Sequence, residues 1–337
     1  MMLPVLQIGL QYVVATNVGE LVDMAASEFV AATANLVYPR EFQDSRWYGL
    51  MAIAGIVSGV LFLVACSATR TKIVLHPKNA IWEPSKFLNK RTRYKFIYRS
   101  LNELIHQKAN KPYVLIPIAD DFAVYLCENK KHLKDNDYRF LTCSNRQIIE
   151  SLANKVSLSN HVLQEYLPES YSIENVVYPC VLKYNKGGFS TGVFKINNEV
   201  ELKEKTIGKQ INQDYIIQEA ILDKREYSTQ FLVHDGKIVF HASYYDEYEN
   251  RLFIWPHVKS TRRVGLSLDE NDAVFQVFEK FLVEFNGLIN CNYKLQDGGL
   301  KILEFNARLS GDIYGIDKRE LNELIGLYWN LCFLVES

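Results

Sequence analysis

The chain has 337 residues and a net charge of −1. That length supports roughly two or three packed units, and the balanced charge, with no basic or acidic tail, excludes a global electrostatic case for nucleic acid. The six cysteines (Cys66, Cys127, Cys143, Cys180, Cys291 and Cys332) are scattered without a CxxC pair, which argues against a zinc site or small disulfide scaffold and for reduced thiols in a cytoplasmic protein.

Residues 1–46 read as an extension with an apolar start and a helix-like stretch from Val18 to Leu36, and the sequence assigns it no role. No basic segment precedes its first apolar run, so a secretory signal is not expected. From Trp47 to Thr69 no residue is charged, and Arg46, Arg70 and Lys72 flank the run. By length alone this stretch could span a bilayer, giving an inner-membrane anchor for a cytoplasmic catalytic domain. The rival reading makes Leu50–Ile56 a buried strand, Gly55, Ser58 and Gly59 a turn, Val60–Thr69 a helix and Lys72–Leu75 the next strand. This βαβ reading is preferred, because the chain beyond Leu75 continues as an α/β domain.

Tyr94–Lys108 is expected to be an amphipathic helix with Phe96, Ile97, Leu101, Leu104 and Ile105 inward. Tyr113–Ile118 reads as a short buried strand followed by Ala119, Asp120 and Asp121. Carboxylates just after a parallel strand lie where α/β sheets bind ligands. Capping of a helix over Phe122–Asn129 is nevertheless the preferred role for these two. Ile148–Leu167 reads as helical and ends at Pro168.

From about Val176 the texture changes to strands. Cys180–Tyr184 leads into Asn185-Lys186-Gly187-Gly188-Phe189-Ser190-Thr191-Gly192, and Val193–Ile196 leads out. Three glycines with Ser and Thr allow backbone N–H groups to turn toward an anion, although a flexible turn has the same composition. Tyr215–Ala220 and Arg225–Val233 are strands, with a turn at His234–Lys237 before Ile238–Ser243. Asp272–Phe285 is a helix whose Val274, Val277, Phe278, Phe281, Leu282 and Phe285 share one face.

The last hairpin is the most informative. Leu288–Leu295 alternates, Gln296-Asp297-Gly298-Gly299 supplies the turn, and Leu303-Glu304-Phe305-Asn306-Ala307-Arg308 returns. A period of two puts Glu304, Asn306 and Arg308 on one face and Leu303 and Phe305 on the other. A three-residue loop, Asp297 to Gly299, places Asn292 opposite Glu304, whereas a two-residue loop would spoil that register. Carboxylate and amide oxygens suit Mg²⁺, and a guanidinium suits phosphate or carboxylate.

Taken in order, Ala153-Asn154-Lys155-Val156, Val181-Leu182-Lys183 with Lys186-Gly187-Gly188, Ile217-Gln218-Glu219, Arg225-Glu226-Tyr227-Ser228 and Leu303–Gly311 resemble the ATP-grasp superfamily, over about residues 112–316. The flavour is that of its carboxylate–amine ligase branch, which includes amino-acid ligases and carbamoyl-phosphate-synthase-like proteins. The resemblance implies an α/β protein: a Rossmann-like N-terminal domain over about 47–121, after the 1–46 extension, then an ATP-grasp domain over 122–337. Two α+β subdomains would sandwich ATP, a small lid over about 176–218 and a C-terminal subdomain over about 219–337.

The resemblance also implies roles. Lys155 and Lys183 would contact ATP phosphates, and the loop with Lys186, Gly187, Gly188 and Ser190 would cover them. Gln218 and Glu219 would lie at the adenine hinge, with the backbone of Ala220 and Ile221 reading the base and Glu226 holding the ribose. Asn292, Glu304 and Asn306 would bind Mg²⁺, with Mn²⁺ as an alternative. Arg308 would stabilise the transferring phosphate or an acyl phosphate, and Arg262 or Arg263 is a vaguer candidate for the same centre. The implied reaction joins a small carboxylate, expected to be an amino acid, to an amine through an acyl phosphate, releasing ADP and phosphate. A catalytically impaired ATP-binding scaffold and a bicarbonate-using carboxylase are the alternatives. Membrane association through 47–69 is not favoured, and a homodimer is compatible with such relatives. Two departures stand out: Asn292 is neutral where a first acidic metal ligand is common, and the spacing from Glu219 to Glu226 is one residue longer than the commonest pattern.

Overall fold

The computed structural model describes residues 72–76, 84–92, 94–98, 101–106, 112–185, 192–254, 258–269 and 272–334. The expectations for residues 1–46, for the uncharged stretch 47–69 and for Lys186, Gly187, Gly188 and Ser190 lie outside them. Among the described residues, no helix is long and apolar enough to cross a membrane.

The first sheet is built from β1 (Lys72–His76), β2 (Lys95–Tyr98), β3 (Tyr113–Pro117) and β4 (Tyr138–Arg139), all parallel, in the order β2-β1-β3-β4. Every residue of β3 is buried, as a parallel strand covered on both faces requires. Between these strands run α1 (Pro84–Arg91), α2 (Leu101–His106), α3 (Asp120–Glu128) and α4 (Lys130–Asp135). The helix expected over Tyr94–Lys108 is thus a strand followed by the short α2. Its apolar spacing fits a helix, but Phe96 pairs with Ile73 of β1. The Asn89 side chain satisfies Phe96 beyond the ladder, accepting from its N–H at 2.8 Å and donating to its carbonyl at 3.2 Å. Long-range pairing outweighs local periodicity here.

The helix expected over Ile148–Leu167 is also divided, into α5 (Arg146–Ala153), α6 (Lys155–Ser159) and a 3₁₀ turn at Gln164–Tyr166. Asn154 causes the break. It ends α5 in extended conformation, and its side chain accepts from the Ser157 amide at 2.9 Å to start α6. Lys155 therefore opens a new helix.

The second sheet, β5 (Cys180–Tyr184), β6 (Val193–Ile196) and β7 (Tyr215–Glu219), is antiparallel in the order β6-β5-β7. With α7 (Glu199–Thr206) it encloses its own small core of Cys180, Leu182, Ile196, Leu202, Tyr215 and Ile217.

The third sheet has five antiparallel strands, β8 (Arg225–His234), β9 (Lys237–Glu247), β10 (Arg262–Leu266), β11 (Gly287–Gln296) and β12 (Gly299–Asn306), ordered β10-β9-β8-β11-β12. One face carries Phe231, Ile289, Ile302 and Phe305 onto Phe278, Phe281 and Leu282 of α8 (Ala273–Leu282). The other face is apolar only at one end. There Leu232, Ala242 and Leu288 pack with Leu309, Ile313 and the buried side of α9 (Lys318–Leu334) against Val114 and Ile116 of β3. The Tyr328 hydroxyl on α9 donates to the Leu115 carbonyl at 2.9 Å and accepts from the Leu141 amide at 3.3 Å. The Leu309 amide donates to the Pro117 carbonyl at 2.9 Å.

The β11–β12 hairpin corrects the three-residue loop. Gln296 pairs with Gly299, so the turn has two residues, Asp297 and Gly298, both with positive φ (51° and 81°) as a type I′ turn requires. Asn292 still faces Glu304, because a β-bulge between Asn292 and Tyr293 skips Leu303. The bulge restores the register that the short loop would have spoiled. Leu303 therefore does not share the face of Phe305; Ile302 and Phe305 form the buried pair.

Two turn glycines make the packing testable. At Gly236, φ is +74° and an added Cβ would lie 1.9 Å from the Val283 carbonyl oxygen, whereas at Gly298, φ is +81° and nothing lies within 4 Å. Gly236→Ala should lower stability by about 2 kcal/mol or more, and Gly298→Ala by about 1 kcal/mol from backbone strain alone. Denaturant midpoints of the two variants against the parent check this ordering.

Candidate active site

At its other end, the open face of the five-stranded sheet turns polar. Period-two alternation puts Glu226, Ser228 and Gln230 of β8 on this face, with Asn290, Asn292 and Lys294 of β11 and Glu304 and Asn306 of β12. Cross-strand register makes rows of them: Asn292 pairs with Glu304 on one side and Ser228 on the other, and Asn290 pairs with Asn306 and Gln230. Of these, the sequence reading singled out Glu226, Asn292, Glu304 and Asn306. It missed Ser228, Gln230, Asn290 and Lys294, although the same alternation carries them.

Glu304 is the hub of one cluster. Its Oε1 accepts from Asn292 Nδ2 at 3.1 Å and from Asn306 Nδ2 at 3.3 Å. Arg308 Nη2 donates to Asn306 Oδ1 at 3.1 Å, and its Nε lies 3.5 Å from Asp120 Oδ2. Gln230 braces the backbone around Arg308: its Nε2 donates to the Ile289 carbonyl at 3.1 Å and the Arg308 carbonyl at 3.4 Å, and its Oε1 accepts from the Ser310 amide at 3.0 Å. The expected row of carboxylate, amide and guanidinium is therefore present, with Asn292 beside it and Asp120 added from the first sheet.

The donor set suits one hard cation. Among the described residues no group of three or more His, Cys, Asp or Glu side chains could hold a metal ion; the oxygens grouped at Glu304 are its carboxylate and those of the adjoining Asn292 and Asn306 amides. Asn292 Oδ1 is buried with no hydrogen-bond partner among the described residues. A carboxylate with amide oxygens fits Mg²⁺ when phosphate oxygens and water complete the shell.

Cations gather alongside. Lys183, on β5 of the small sheet, is 8% exposed, and its Nζ donates to the Leu303 carbonyl at 3.0 Å. The bulge makes this contact, since a bulged residue leaves the ladder. Burial pulls the Lys183 pKa down to about 8, with Glu304 and Glu226 opposing and the positive charges of Lys155 and Lys294 assisting. Lys155, Lys183, Lys294, Glu226 and Glu304 thus share one electrostatic neighbourhood. Lys294 is 3% exposed; its Nζ donates to the Ile221 carbonyl at 3.3 Å and lies 3.8 Å from the centre of the Phe253 ring. Burial lowers its pKa too, against the pull of Glu226 and Asp223.

The expected hinge follows β7. Gln218 is buried, with Oε1 unpartnered among the described residues. Glu219 turns to the segment before β5, its Oε1 accepting from the Glu169 amide at 3.0 Å and lying 3.4 Å from Lys301 Nζ. Beyond Ala220, the Ile221 carbonyl is held by Lys294, and the Leu222 amide donates to Gln296 Oε1 at 3.2 Å.

Arg262 and Arg263 stand apart from β12 in strand order, and register places Arg263 in one row with Asp246 and Glu226. They lie on β10, and β10 and β12 are opposite edges of the sheet. Arg263 is committed to Asp246 through a fork from Nε and Nη2, and its guanidinium lies 4.3 Å over the Tyr244 ring. Asp120 does not cap α3: the N-cap residue is Ala119 without a side-chain bond, and the Asp121 carboxylate accepts from the Phe122 amide at 2.9 Å.

No family model and no curated protein sequence matches this chain. Solved structures do. D-alanine–D-alanine ligase from Bacillus anthracis complexed with ATP superposes with a TM-score of 0.51 at 15% identity, covering 78% of this chain and 98% of that one. Phosphoribosylamine–glycine ligase from Thermotoga maritima gives 0.49 at 16% identity over 73% and 70%, and L-amino acid ligase from Bacillus licheniformis gives 0.45 at 15% over 60% and 50%. The first of these likenesses carries the assignment of architecture: the chain has the ATP-grasp fold, a mixed α/β architecture.

The buried lysine has a cost that pH exposes. Its pKa in the fold, about 8, lies below the ordinary 10.5. Between those values the unfolded chain holds more protons, so this group's contribution to stability rises with pH from 8 to 10.5 and is lost as pH falls through 8. Lys183→Met should remove this rise, worth about 3 kcal/mol at most, so that the variant gains most relative to the parent at pH 7 and least near pH 10.5. Denaturant melts of both proteins across that range test it.

Proposed function

We propose that this chain is an ATP-dependent ligase that joins a small-molecule carboxylate to an amine, releasing ADP and phosphate. The observation that carries this reading is the convergence of Lys155, Lys183 and Glu226 on the Glu304–Asn306–Arg308 row. Lys183 reaches the Leu303 carbonyl next to Glu304, Lys155 and Glu226 act on it electrostatically, and Arg308 bonds Asn306. The fold likeness to an ATP-bound ligase supports it.

In this reading Lys155 and Lys183 bind the phosphates, and Glu226 takes the ribose hydroxyls. Glu304, Asn306 and Asn292 would hold Mg²⁺, which when bound would offset the charge of the phosphates. Arg308, braced by Gln230, is aimed at the γ-phosphoryl and the carboxylate that attacks it. The carboxylate oxygen bonds to phosphorus and ADP departs, leaving an acyl phosphate. The amine nitrogen then attacks the acyl carbon, phosphate leaves, and the nitrogen loses a proton. Fixed donors aimed at the developing charge give most of the acceleration.

A second reading has its own observation: Asn292 is neutral, so the metal set carries one carboxylate. A scaffold that binds ATP without turnover would show such a site.

Magnesium-dependent ADP release over pooled carboxylates and amines separates the two. The wild type is expected to turn over, and Glu304→Ala to lose roughly 100-fold or more of that rate. ATP binding without turnover in the wild type would favour the scaffold. Full activity in Glu304→Ala would remove Glu304 from the chemistry.

A further inference from the structure

We propose that the open edge of β6, with the apolar cavity beside it, binds a short free peptide of apolar residues, which adds to the small sheet as a further strand. The inference is independent of the ligase reading, and none of the residues lining this cavity belongs to the Glu304 row.

The edge comes first. β6 stands at the end of the order β6-β5-β7, so one of its sides has no strand beside it. Register says which groups face that side. Phe194 pairs with Leu182 and Ile196 with Cys180, and just before β6 the Tyr184 amide donates to the Gly192 carbonyl at 2.7 Å. Antiparallel pairs alternate between bonded and non-bonded, so Gly192, Phe194 and Ile196 exchange bonds with β5. The backbone groups of Val193 and Lys195 then point to the open side, where neither has a backbone partner among the described residues.

The cavity comes second. It measures about 370 Å³ and has Val193, Phe194 and Ile196 on one wall and Leu252, Phe253 and Val258, from the segment after β9, on the other. That second wall is anchored elsewhere. Phe253 stacks on Tyr248 with 3.6 Å between ring centres and lies against Lys294. The Tyr248 amide donates to the Lys224 carbonyl at 2.8 Å, and Arg251 Nη2 donates to the Leu222 carbonyl at 2.9 Å. The segment thus directs these bonds to the stretch after β7 and leaves the β6 edge unpaired.

One ligand chemistry answers both features. Outward backbone groups on alternate residues recur every ~7 Å, the repeat of any extended chain, and alternate side chains of an added strand meet the walls. A lipid tail or a plain aromatic compound would strip water from the Val193 and Lys195 groups without replacing its bonds. A nucleotide or sugar phosphate would set charge against aliphatic walls, and the charged lining, Lys195, Lys205, Glu201 and Glu204, holds as many acids as bases. The volume is that of a small-ligand site, and the edge from Val193 to Lys195 matches about three extended residues, so the peptide is short.

The test uses the full chain and the tripeptide Val-Leu-Val, with binding followed by calorimetry in the presence of a saturating non-hydrolysable ATP analogue. The wild type should bind, and in the complex the amides of Val193 and Lys195 should exchange with solvent about 10-fold more slowly. N-methylation of the peptide amides keeps the apolar side chains and removes donors, and it should weaken binding about 10-fold or more. Lys195→Pro removes an outward N–H and spares the β5 bonds made by Phe194 and Ile196. That variant, and Val258→Trp, which fills the cavity, should each weaken binding by a similar factor. Equal binding of the N-methylated peptide to the wild type overturns strand addition, and this arm needs no variant to fold. Displacement of the peptide by the ATP analogue, or unchanged affinity in both variants, overturns the site. A nonapeptide with Val-Leu-Val at its centre that binds more tightly than the tripeptide overturns the short free ligand in favour of a segment of a longer chain. No binding of the tripeptide at millimolar concentration overturns the proposal as a whole.

Discussion

The arrangement of the site depends on one backbone hydrogen bond between distant parts of the chain, from the Leu309 amide to the Pro117 carbonyl. It joins the end of a parallel strand to the segment leaving an antiparallel one, and Arg308 and Asp120 flank the junction. A single such bond is worth only about 1 kcal/mol net. What holds it is the apolar core around it. Leu309, Ile313 and Tyr328 are fully buried with Val114 and Ile116, and the Tyr328 hydroxyl bonds both the Leu115 carbonyl and the Leu141 amide. The core supplies the free energy, and the backbone bonds supply the register. Charged groups from two sheets, Asp120 and Arg308, are thus set at ion-pair distance by the apolar residues around them.

The bulge at Leu303 is the second constraint, and it shows where sequence reading stops. Alternation revealed that Glu304, Asn306 and Arg308 share a face, and that Asn292 opposes Glu304. Those inferences need only the period of a strand. They do not say how long the turn is, because Asp297-Gly298-Gly299 suits two residues as well as three. The adjacent apolar pair Ile302-Leu303 is the trace of the bulge, since strict alternation would not bury Ile302 and Phe305 together. Its consequence is invisible in one strand: the released Leu303 carbonyl takes the ammonium of Lys183 from another sheet.

Other parts were hidden for related reasons. Phe96 and Ile97 fit a helical stripe, and only pairing with β1 makes them a strand. Lys294 sat in a recognised strand as an ordinary solvated lysine until the segment carrying Phe253 covered it. The ion-pair partner of Arg263, Asp246, lies on the neighbouring strand at a register no local pattern reveals. Residue types and faces are local properties and were legible; neighbours across sheets are properties of the fold.

The electrostatics of the open sheet face then say what the protein holds in reserve. Two buried oxygens without a partner among the described residues, Asn290 Oδ1 and Asn292 Oδ1, lie along the row that contains Glu304, Asn306 and Arg308. On the opposite face of the same sheet, the buried hydroxyls of Thr229, Ser243 and Tyr293 satisfy one another at 2.8 and 3.4 Å. Each unpaired group costs about 1–3 kcal/mol, and a buried lysine with a depressed pKa adds to that. Folding alone gives no reason to leave these oxygens unpaired. A cation, a polyphosphate and a charged small molecule bound at that row would satisfy the oxygens and the lysines together. On the proposed function, the stability given up on the open face would be returned by bound ligands, while the face packed by α8 carries the fold.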